Sequence, residues 1–351
     1  MPSASVTLDV DGHKVKVSSP ERVCFPKVGI TKLQIVEYYL AVGKGILGAV
    51  RDRPTTLERW PKGVIPLDPA EPAGPANGDF FYQKHVPKGL PAYAETVDIT
   101  FPSGRSGTEI CPSNLATVVW AAHMNTITFH PWPVTRAAVD QPDQLRIDLD
   151  PQPGTDFTDA VRAGDVLREV LAEHDLHGFP KTSGGRGLHV YVPIRPQWSF
   201  VETRRALIAI GREMERRTPE LVTLSWWKEE RGERIFIDYN QMARDRTIAS
   251  AYSVRANDRA TVSAPLTWDE LADAAPDDFT VRTMPARFAE VGDLHARVAS
   301  AQPGDLASLL ELSAKQESDL GLGDLPYPPD YPKMPGEPPR VQPSRKNPAN
   351  W

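Results

Sequence analysis

The sequence contains little of what would place a chain outside the cell, in a membrane or around a cysteine-bound metal. Cys24 and Cys111 are the only cysteines among 351 residues, and neither has a second cysteine at metal-ligand spacing. We therefore expect two reduced thiols in the core of a cytoplasmic protein. No apolar run approaches the roughly 18 residues of a membrane span, and the N-terminus lacks the basic-then-apolar pattern of a secretion signal.

The charge balance is not that of a protein coated with positive charge. The formal net charge of -6 excludes a uniformly basic nucleic-acid surface but allows a local basic groove. With 40% hydrophobic and 25% charged residues, the chain has the composition of one large or two smaller globular domains. Prolines number 35, about twice the usual ~5%. Those after Leu325 predict either a disordered tail or an extended strap laid across the body.

The segment Leu145 to Phe157, LRIDLDPQPGTDF, organises the other features of the chain. Its apolar residues alternate with Asp148 and Asp150, which predicts a short strand with both carboxylates on one face. Two adjacent anions repel unless a cation lies between them, and such oxygen ligands suit magnesium or manganese. An Asp-x-Asp before a proline turn also occurs in turns and helix caps, so the pair needs support from elsewhere in the chain.

Two later segments supply candidate partners for these carboxylates. The first, KTSGGRGLHVYVPI from Lys181 to Ile194, is a glycine-rich turn that leads into a strand carrying His189. Its glycines, free amides and Arg186 would suit an oxyanion, although a hairpin turn chosen for its dihedrals is the alternative. In the second, RIFIDYN, a strand pattern places Asp238 among apolar neighbours. Burying that carboxylate is costly without a metal or basic neighbour.

Basic and aromatic residues recur outside these segments. Arg22 and Lys32 lie at the start of a predicted helix, where amides and the helix dipole favour an anion; a solvated basic loop is the alternative. Phe80 and Phe81 must point to opposite faces of a strand. One of them can therefore be exposed beside Lys84, as in proteins that stack single-stranded bases.

Local patterns predict several regular elements around these motifs. They are a hairpin over 5–17 that turns at Asp11-Gly12, a helix capped by Thr31, an amphipathic helix over 159–176, an arginine-rich helix over 201–217, a short helix over 268–275, and one or two helices over 285–312.

Taken in chain order, the motifs resemble the archaeo-eukaryotic primase superfamily. They are most similar to the polymerase domain of bacterial ligase D and its stand-alone, mycobacterial-type relatives associated with ligase C. The matching motifs extend over roughly residues 15 to 290 and are SPERVCFPKVGITK, RPTTLERWPKG, FFYQKH, HPW, IDLDP, KTSGGRGLHVYVPI and IDYNQMARDRTIASAYSVRA. The loop over 65–77 looks unlike the better-known ligase D versions, and no ligase or nuclease motif follows the domain, as expected for the stand-alone type.

The resemblance implies roles for individual residues. The implied ligands of two divalent ions, Mn²⁺ or Mg²⁺, are Asp148, Asp150 and Asp238. The implied nucleotide-binding residues are Ser183, Gly184, Arg186, His189, His130, Arg231, Gln241 and Arg255. The implied DNA-binding residues are Arg22 and Lys32 at a 5′-phosphate, with Arg59, Phe80, Phe81 and Lys84 near the template.

The resemblance also implies a function. It indicates a template-directed DNA polymerase and primase that fills short gaps or ends in DNA repair, including non-homologous end joining, by two-metal nucleotidyl transfer with a preference for ribonucleotides. The implied partners are gapped or 5′-phosphorylated DNA, nucleoside triphosphates, a separate ATP-dependent DNA ligase and an end-binding protein. The implied location is the cytoplasm at the nucleoid, away from membranes.

Three alternatives remain at the level of sequence. An Asp-x-Asp glycosyltransferase uses manganese but needs neither a third carboxylate on a strand nor a 5′-phosphate pocket. A beta-type nucleotidyltransferase carries a Gly-Ser motif at a helix start before the first two carboxylates, whereas the Ser-Gly turn of this chain comes after them. A non-catalytic module that bridges DNA ends is the third alternative. The sequence leaves open the choice between gap repair and end joining, and whether synthesis starts without a primer.

We expect an α/β (α+β) fold with a primase-type catalytic sheet. The predicted primase-polymerase domain covers residues 1–290, with a small N-terminal α/β module over about 1–140 and the catalytic sheet over about 141–265. A helical and then proline-rich C-terminal extension covers 291–351.

Overall fold

The computed structural model describes residues 5–65, 79–101 and 104–327. Its strands are β1 (Ser5–Val10), β2 (His13–Ser18), β3 (Val23–Phe25), β4 (Ile30–Thr31), β5 (Thr55–Arg59), β6 (Phe81–Gln83), β7 (Glu95–Thr100), β8 (Ser106–Cys111), β9 (Thr126–Pro131), β10 (Gln144–Pro151), β11 (Phe179–Thr182), β12 (Leu188–Pro193), β13 (Val222–Thr223) and β14 (Ile235–Ile237). Its helices are α1 (Lys32–Ala41), α2 (Gly43–Val50), α3 (Leu115–His123), α4 (Phe157–Glu173), α5 (Phe200–Arg217), α6 (Lys228–Arg231), α7 (Met284–Val291), α8 (Ala296–Ser300) and α9 (Ala307–Leu320).

Two larger sheets carry Arg59, Phe81, His130, Asp148, Asp150 and His189 among the candidate site residues. In the first, β5 pairs antiparallel with β9 along one edge and with β6 and β8 along the other, and β7 pairs with β8. In the second, the strand order is β11-β12-β10-β14-β13, with β10 in the centre and antiparallel to both of its neighbours. The mixed α/β fold that the sequence predicts is confirmed.

The central strand β10 has one apolar and one polar face. Leu145, Ile147 and Leu149 are fully buried on the apolar face, and α4 and α5 contact the strand. A Cβ placed on Gly164 of α4 would lie 2.8 Å from a Leu188 methyl group, so this helix packs directly on the sheet. Because strand side chains alternate, the opposite face is left to the polar residues of β10.

Two buried connections hold the sheets together next to that polar face. Arg146 of β10 donates to the carbonyl oxygen of Trp132 at 2.9 Å and to that of Pro131, at the end of β9. The segment over 250–255 makes the second connection, because Ser253 Oγ accepts from the Phe129 amide at 3.1 Å. Residues of both sheets therefore meet in one place.

The local patterns near the N-terminus predicted its structure well. The hairpin of β1 and β2 turns at Asp11 and Gly12, whose φ angles are 50° and 78°. Thr31 caps α1 as predicted, and the Gln34 side chain completes the capping box by accepting from the Thr31 amide at 2.8 Å. The helices predicted over 159–176 and 201–217 are confirmed as α4 and α5.

Other predictions about elements were wrong. The helix predicted over 268–275 consists of turns, and the Trp268 indole is anchored there by a 2.8 Å hydrogen bond to the Gly178 carbonyl oxygen. Three helices, α7 to α9, lie where one or two were predicted. The predicted loop over 65–77, apart from Ile65, and the proline-rich residues after Tyr327 lie outside the described residues.

The end of the described chain runs along α5. Residues Leu322–Tyr327, called the strap below, follow α9 without regular secondary structure. Arg212 of α5 donates to the Leu322 carbonyl oxygen at 2.9 Å, and Arg204 of the same helix contacts the strap further along. No single helix among the described residues is long and apolar enough to cross a membrane, although α1 and α2, bent by 81° at their junction, reach that length and composition together.

Candidate active site

The carboxylates Asp148 and Asp238 meet where β10 and β14 run side by side. The Asp238 amide donates to the Asp148 carbonyl oxygen at 3.1 Å, so the two residues are direct neighbours. Asp238 lies one residue beyond β14 and caps a turn of 3-10 helix, Tyr239–Met242, by accepting from the Asn240 amide at 3.0 Å. The strand predicted in RIFIDYN is therefore shorter than expected, since β14 ends at Ile237, and the third carboxylate lies just beyond the strand's end.

Negative charge is concentrated at this point. Burial, and then the charges of Asp238 and Asp150, raise the pKa of Asp148 to about 8, against the opposing effect of Lys181 and Arg255. Burial also raises the pKa of Asp238. Within the described residues, no three His, Cys, Asp or Glu side chains are already gathered into a metal-binding group. The donor chemistry nonetheless fits a hard divalent cation, since Asp148, its neighbour Asp238 and the nearby Asp150 offer oxygen ligands and a negative charge that such a cation would neutralise.

His189 lies directly opposite Asp148 in the β10–β12 register, and its Nε2 is 3.4 Å from Asp148 Oδ1. Its Nδ1 lies 2.7 Å from the buried Lys181 Nζ, which also donates to Ser263 Oγ at 2.5 Å. Burial, together with Lys181 and Arg255, lowers the pKa of His189 well below its usual range. A neutral imidazole that accepts from Lys181 at Nδ1 carries its proton on Nε2, facing the carboxylate.

The glycine-rich turn lies against the strand that carries the two carboxylates. A Cβ on Gly187 would be 2.7 Å from the Leu149 carbonyl oxygen, and a Cβ on Gly184, where φ is +73°, would collide with the Arg255 side chain. Arg186 donates from Nη2 to the Pro151 carbonyl oxygen at 3.0 Å. Only glycine permits this close approach, which brings the turn to the Asp150 end of β10.

Some of the amides expected to be free in this turn are already used. The Ser183 hydroxyl oxygen accepts from the amides of Gly185 and Gly187, each at 3.1 Å. Ser183 therefore shapes the turn, and Arg186 and Arg255 carry the positive charge available to an anion here.

Arg255 connects the catalytic candidates of the two sheets. Its charge acts on the titration of Asp148 and His189 on one side and of Glu58 and His130 on the other. Its guanidinium makes no hydrogen bond within the described part of the chain, whereas its amide donates to the Thr261 carbonyl oxygen at 2.8 Å. An unpaired cation among buried polar groups is suited to binding phosphate.

His130 pairs with a residue that the sequence analysis did not single out. Its Nε2 is 3.0 Å from Glu58 Oε2, and the other Glu58 oxygen accepts from the Trp60 indole at 2.9 Å. Burial works to raise the pKa of Glu58, but His130, Arg255 and Trp60 together outweigh it, and the net pKa is lowered. Tyr82 packs edge-on against His130 with ring centroids 5.6 Å apart.

Two predicted nucleotide-binding residues already bind protein groups. The Arg231 guanidinium donates to the carbonyl oxygens of Ser225 (3.1 Å) and Trp226 (2.9 Å) and lies 3.4 Å from the Phe236 ring centroid. Gln241 donates to Asp238 Oδ2 at 3.2 Å, which directs it at the carboxylate. In this structure Arg231 therefore stabilises the loop beside the site, and Gln241 orients a predicted ligand.

Phe80 and Phe81 lie in different surroundings, as expected for neighbouring side chains that point to opposite faces of a strand. Phe80 stacks on Trp60 with ring centroids 4.7 Å apart, whereas Phe81 is 39% exposed and Tyr82 is 51% exposed. The Arg59 guanidinium lies 5.3 Å from the Phe81 ring centroid. Phe81 and Tyr82 therefore offer exposed rings next to a cation.

Lys84 and Arg59 are tied to neighbouring protein groups. Lys84 forms a 2.7 Å ion pair with Asp245, and Arg59 donates to the Met124 carbonyl oxygen at 2.9 Å and to Gln83 Oε1 at 2.6 Å. These contacts fix both side chains in place.

Arg22 and Lys32 form a second basic group. Lys32, only 5% exposed, donates to the Ser18 carbonyl oxygen at 3.0 Å, and its amide donates to the Arg22 carbonyl oxygen at 2.8 Å. Burial, followed by repulsion from Arg22, lowers the pKa of Lys32, and neither side chain forms an ion pair within the described ranges. The first amides of α1 bind Arg22, Pro20 and Thr31, so attraction for an anion depends on the two side chains.

Comparison with known proteins identifies the family to which these site residues belong. The family model of the LigD primase-polymerase domain matches residues 31–295, which contain both large sheets and every candidate site residue except Arg22. The chain belongs to this family.

Relatives with known names or structures agree with this assignment. The multifunctional non-homologous end joining protein LigD of Mycolicibacterium smegmatis is 29% identical over 293 residues, 83% of this chain and 37% of its own length. The bifunctional non-homologous end joining protein LigD of Bacillus subtilis is 28% identical over 281 residues, 80% of this chain and 43% of its own length. This chain thus spans about two fifths of the length of these curated relatives.

A solved structure of a LigD polymerase domain has the same fold as this chain. The polymerase domain of Mycobacterium tuberculosis ligase D in complex with DNA matches with a TM-score of 0.73 and 28% identity, over 82% of this chain and 99% of that chain. The predicted primase-type fold is confirmed by this similarity.

Sequence reasoning missed three residues of the site. Lys181 opens the KTSGGRG motif, whose pattern predicts no role for it, yet the β11–β12 register places it directly across from His189. A strand register counted back from the glycine-rich turn could have found it. Glu58 and Ser263 gave no local signal, because their partners His130 and Lys181 lie 72 and 82 residues away along the chain.

Proposed function

We propose that this chain is a template-directed nucleotidyltransferase that adds nucleotides to the 3′ end of DNA at short gaps or breaks. The observation that carries the proposal is the meeting of Asp148, Asp238 and His189 beside a glycine-rich turn, in a member of the LigD primase-polymerase domain family. Crowded carboxylates next to unpaired cations suit a reaction in which a metal-bound triphosphate is attacked by a hydroxyl group.

The carboxylates fit a pair of divalent ions. Asp148, Asp150 and Asp238 would hold Mn²⁺ or Mg²⁺, which when bound neutralises the α-phosphate and makes the primer hydroxyl a better nucleophile. Gln241 and the Asn240 amide hold the Asp238 carboxylate in one orientation through hydrogen bonds of 3.2 and 3.0 Å. This orientation is the protein's contribution, since ligands fixed in advance need no rearrangement on binding.

The cationic side of the site would bind the triphosphate. Arg255, against Gly184 of the glycine-rich turn, and Arg186, at the end of β10, lie where an incoming nucleotide's phosphates would approach the carboxylates. His189 would add a hydrogen-bond donor at Nε2, with Lys181 fixing its tautomer from behind. Charge-assisted bonds of this kind are roughly twice as strong as neutral ones.

The remaining candidates would position the DNA. Exposed Phe81 and Tyr82 would stack on template bases, while Arg22 and Lys32 would bind the 5′-phosphate on the far side of a gap. These contacts recognise backbone and ring faces, so sequence would be read by base pairing with the template alone. The similar Mycobacterium tuberculosis polymerase domain, solved in complex with DNA, supports this assignment.

The biological setting is also part of the proposal. The names of the relatives favour non-homologous end joining. A DNA ligase and an end-binding protein as partners, and the cytoplasm as the location, are what the family resemblance implies. We extend the proposal to a preference for ribonucleotides, which the resemblance to primases implies.

Extension of a primer across a short gap with a 5′-phosphate tests the proposal. Ribo- and deoxyribonucleoside triphosphates are offered separately with Mn²⁺ or Mg²⁺ to the wild type, to Asp148→Ala and to Asp165→Ala, whose carboxylate is exposed on α4. We expect incorporation by the wild type and Asp165→Ala and none by Asp148→Ala. Tight binding of gapped DNA without any incorporation would instead support the non-catalytic end-bridging module.

A further inference from the structure

The strap Leu322–Tyr327 lies outside the residues that match the family model, which end at 295. It nevertheless contacts the residues that surround Asp238. The contact is made through Arg204 of α5, which is only 5% exposed and lies 120 residues from the strap along the chain.

Arg204 holds the strap with most of its donors. It donates to Asp324 Oδ1 at 2.7 Å and to the carbonyl oxygens of Leu325 at 2.7 Å and Pro326 at 3.2 Å. Its guanidinium also lies 5.3 Å from the Tyr327 ring centroid. Such a set of bonds fixes both the arginine and the short strap peptide in one arrangement.

A fourth Arg204 donor points toward the active site. Nε donates to Asn240 Oδ1 at 2.9 Å, and the Asn240 side-chain amide in turn donates to the Pro326 carbonyl oxygen at 3.1 Å. The guanidinium lies 5.2 Å from the Tyr239 ring centroid, and the Tyr239 hydroxyl donates to the same Pro326 oxygen at 3.4 Å. Tyr239 and Asn240 are thus each contacted both by Arg204 of α5 and by Pro326 of the strap.

These two residues begin the turn that carries Asp238. The Asn240 amide donates to Asp238 Oδ1 at 3.0 Å, so the direction of that carboxylate depends on where the peptide of Asn240 lies. A single turn of 3-10 helix has weak internal hydrogen bonding, and its position is set by what packs around it. Here Arg204 and the strap provide that packing.

We propose that the strap supports the binding of a divalent cation at Asp238. In this proposal Arg204 is a positioning residue: together with the strap it holds Asn240, and Asn240 orients the Asp238 carboxylate. This inference rests on the proposed function, because it takes Asp238 as a metal ligand. It adds an element from outside the family match to the site. Groups that orient metal ligands change metal affinity by about 10- to 100-fold when removed.

Two truncations of the full chain isolate the strap. A stop after Tyr327 removes only residues 328–351, whereas a stop after Gly321 removes the strap as well. Binding of Mn²⁺ alone, without DNA or nucleotide, is measured by the electron paramagnetic resonance signal of the free ion. We expect the first truncation to bind Mn²⁺ as the full chain does and the second to bind it at least tenfold more weakly. Equal affinity of both truncations would overturn the proposal.

Point variants keep the test valid if the shorter truncation does not fold. Asp324→Ala removes one strap anchor whose side chain is 53% exposed, and Arg204→Lys keeps the charge but loses the fork that reaches Asn240 and the strap together. We expect both variants to remain folded and to bind Mn²⁺ more weakly than the wild type, with the larger loss of affinity in Arg204→Lys. Unchanged Mn²⁺ affinity in a folded Arg204→Lys protein would refute the positioning role.

The same titrations separate this inference from the proposed function. Asp238→Asn must lose the Mn²⁺ binding that the strap modulates, and primer extension is measured in parallel at several Mn²⁺ concentrations. Strap-dependent Mn²⁺ binding without extension would reject the polymerase and keep the coupling. Extension whose half-maximal Mn²⁺ concentration is the same with and without the strap would reject the coupling and keep the polymerase.

Discussion

Glu109 of β8 gives the chain a pH-dependent stability that can be worked out from the structure. The side chain is fully buried, one carboxyl oxygen accepts from the Trp132 indole at 3.2 Å, and the other has no hydrogen-bond partner among the described residues. Burial raises the pKa of Glu109 to about 8, with Asp245 adding to the rise and Lys84 opposing it. The folded protein therefore keeps this proton at pH values where the unfolded chain has lost it.

The sign of the effect follows from this difference. Between the ordinary pKa of 4.5 and the folded value of about 8, folding takes up a proton at Glu109, so its contribution to the free energy of unfolding falls as pH rises. Each pKa unit corresponds to about 1.4 kcal/mol, so the full difference is at most about 5 kcal/mol. Glu109→Gln removes the titrating group and retains an amide that can accept from Trp132.

Urea unfolding at pH 5 and pH 8.5 measures this contribution. We expect the free energy of unfolding of Glu109→Gln to rise by several kcal/mol relative to that of the wild type between pH 5 and pH 8.5. The reason is that at pH 8.5 only the wild type must either bury a charged carboxylate or take up a proton at residue 109. Glu95→Gln serves as the control, since that carboxylate is exposed on the neighbouring strand β7 and its ion pair with Arg136 contributes at most about 1 kcal/mol. A stability difference between Glu109→Gln and the wild type that is the same at both pH values would refute the reasoning.

Three further predictions concern the site. Lys181→Met leaves His189 without its partner at Nδ1, and since hydrogen bonds to charged groups contribute about 1.5–3 kcal/mol, we expect the KM for nucleotide to rise about 10- to 150-fold in steady-state extension assays. Phe81→Ala removes an exposed ring and should weaken binding of gapped DNA by about 1–3 kcal/mol in fluorescence anisotropy, whereas Val201→Ala, exposed on α5, should leave it unchanged. Lys32→Ala should abolish any preference for gaps with a 5′-phosphate over gaps with a 5′-hydroxyl, and gap filling that still favours the phosphate would contradict the anion site.

Short-range patterns predicted the parts of the site that depend on neighbours in sequence. The alternation around Asp148 and Asp150 gave a strand with a polar face, and the glycine-rich turn before His189 gave the next strand of the same sheet. These features follow from side-chain period and turn chemistry, which act over a few residues.

The parts that were not predicted depend on long-range contacts. The Glu58–His130 pair and the reach of Arg204 to the strap join segments 72 and 120 residues apart, and no local pattern encodes them. Arg231 was predicted as a nucleotide contact, but its burial against Phe236 could not be read from a charged residue in a polar loop. The position of Asp238 beyond β14 was also missed, since strand ends are set by packing more than by alternation.

The central claim is that this chain transfers nucleotides under the direction of a template, using Asp148 and Asp238. The most direct measurement is incorporation of a single nucleotide into a gapped duplex, with each of the four templating bases and with all four nucleotides in competition. The account predicts that the wild type adds the complement of each templating base and that Asp148→Ala and Asp238→Asn add nothing while remaining folded. Incorporation independent of the templating base, or undiminished in either variant, would contradict it.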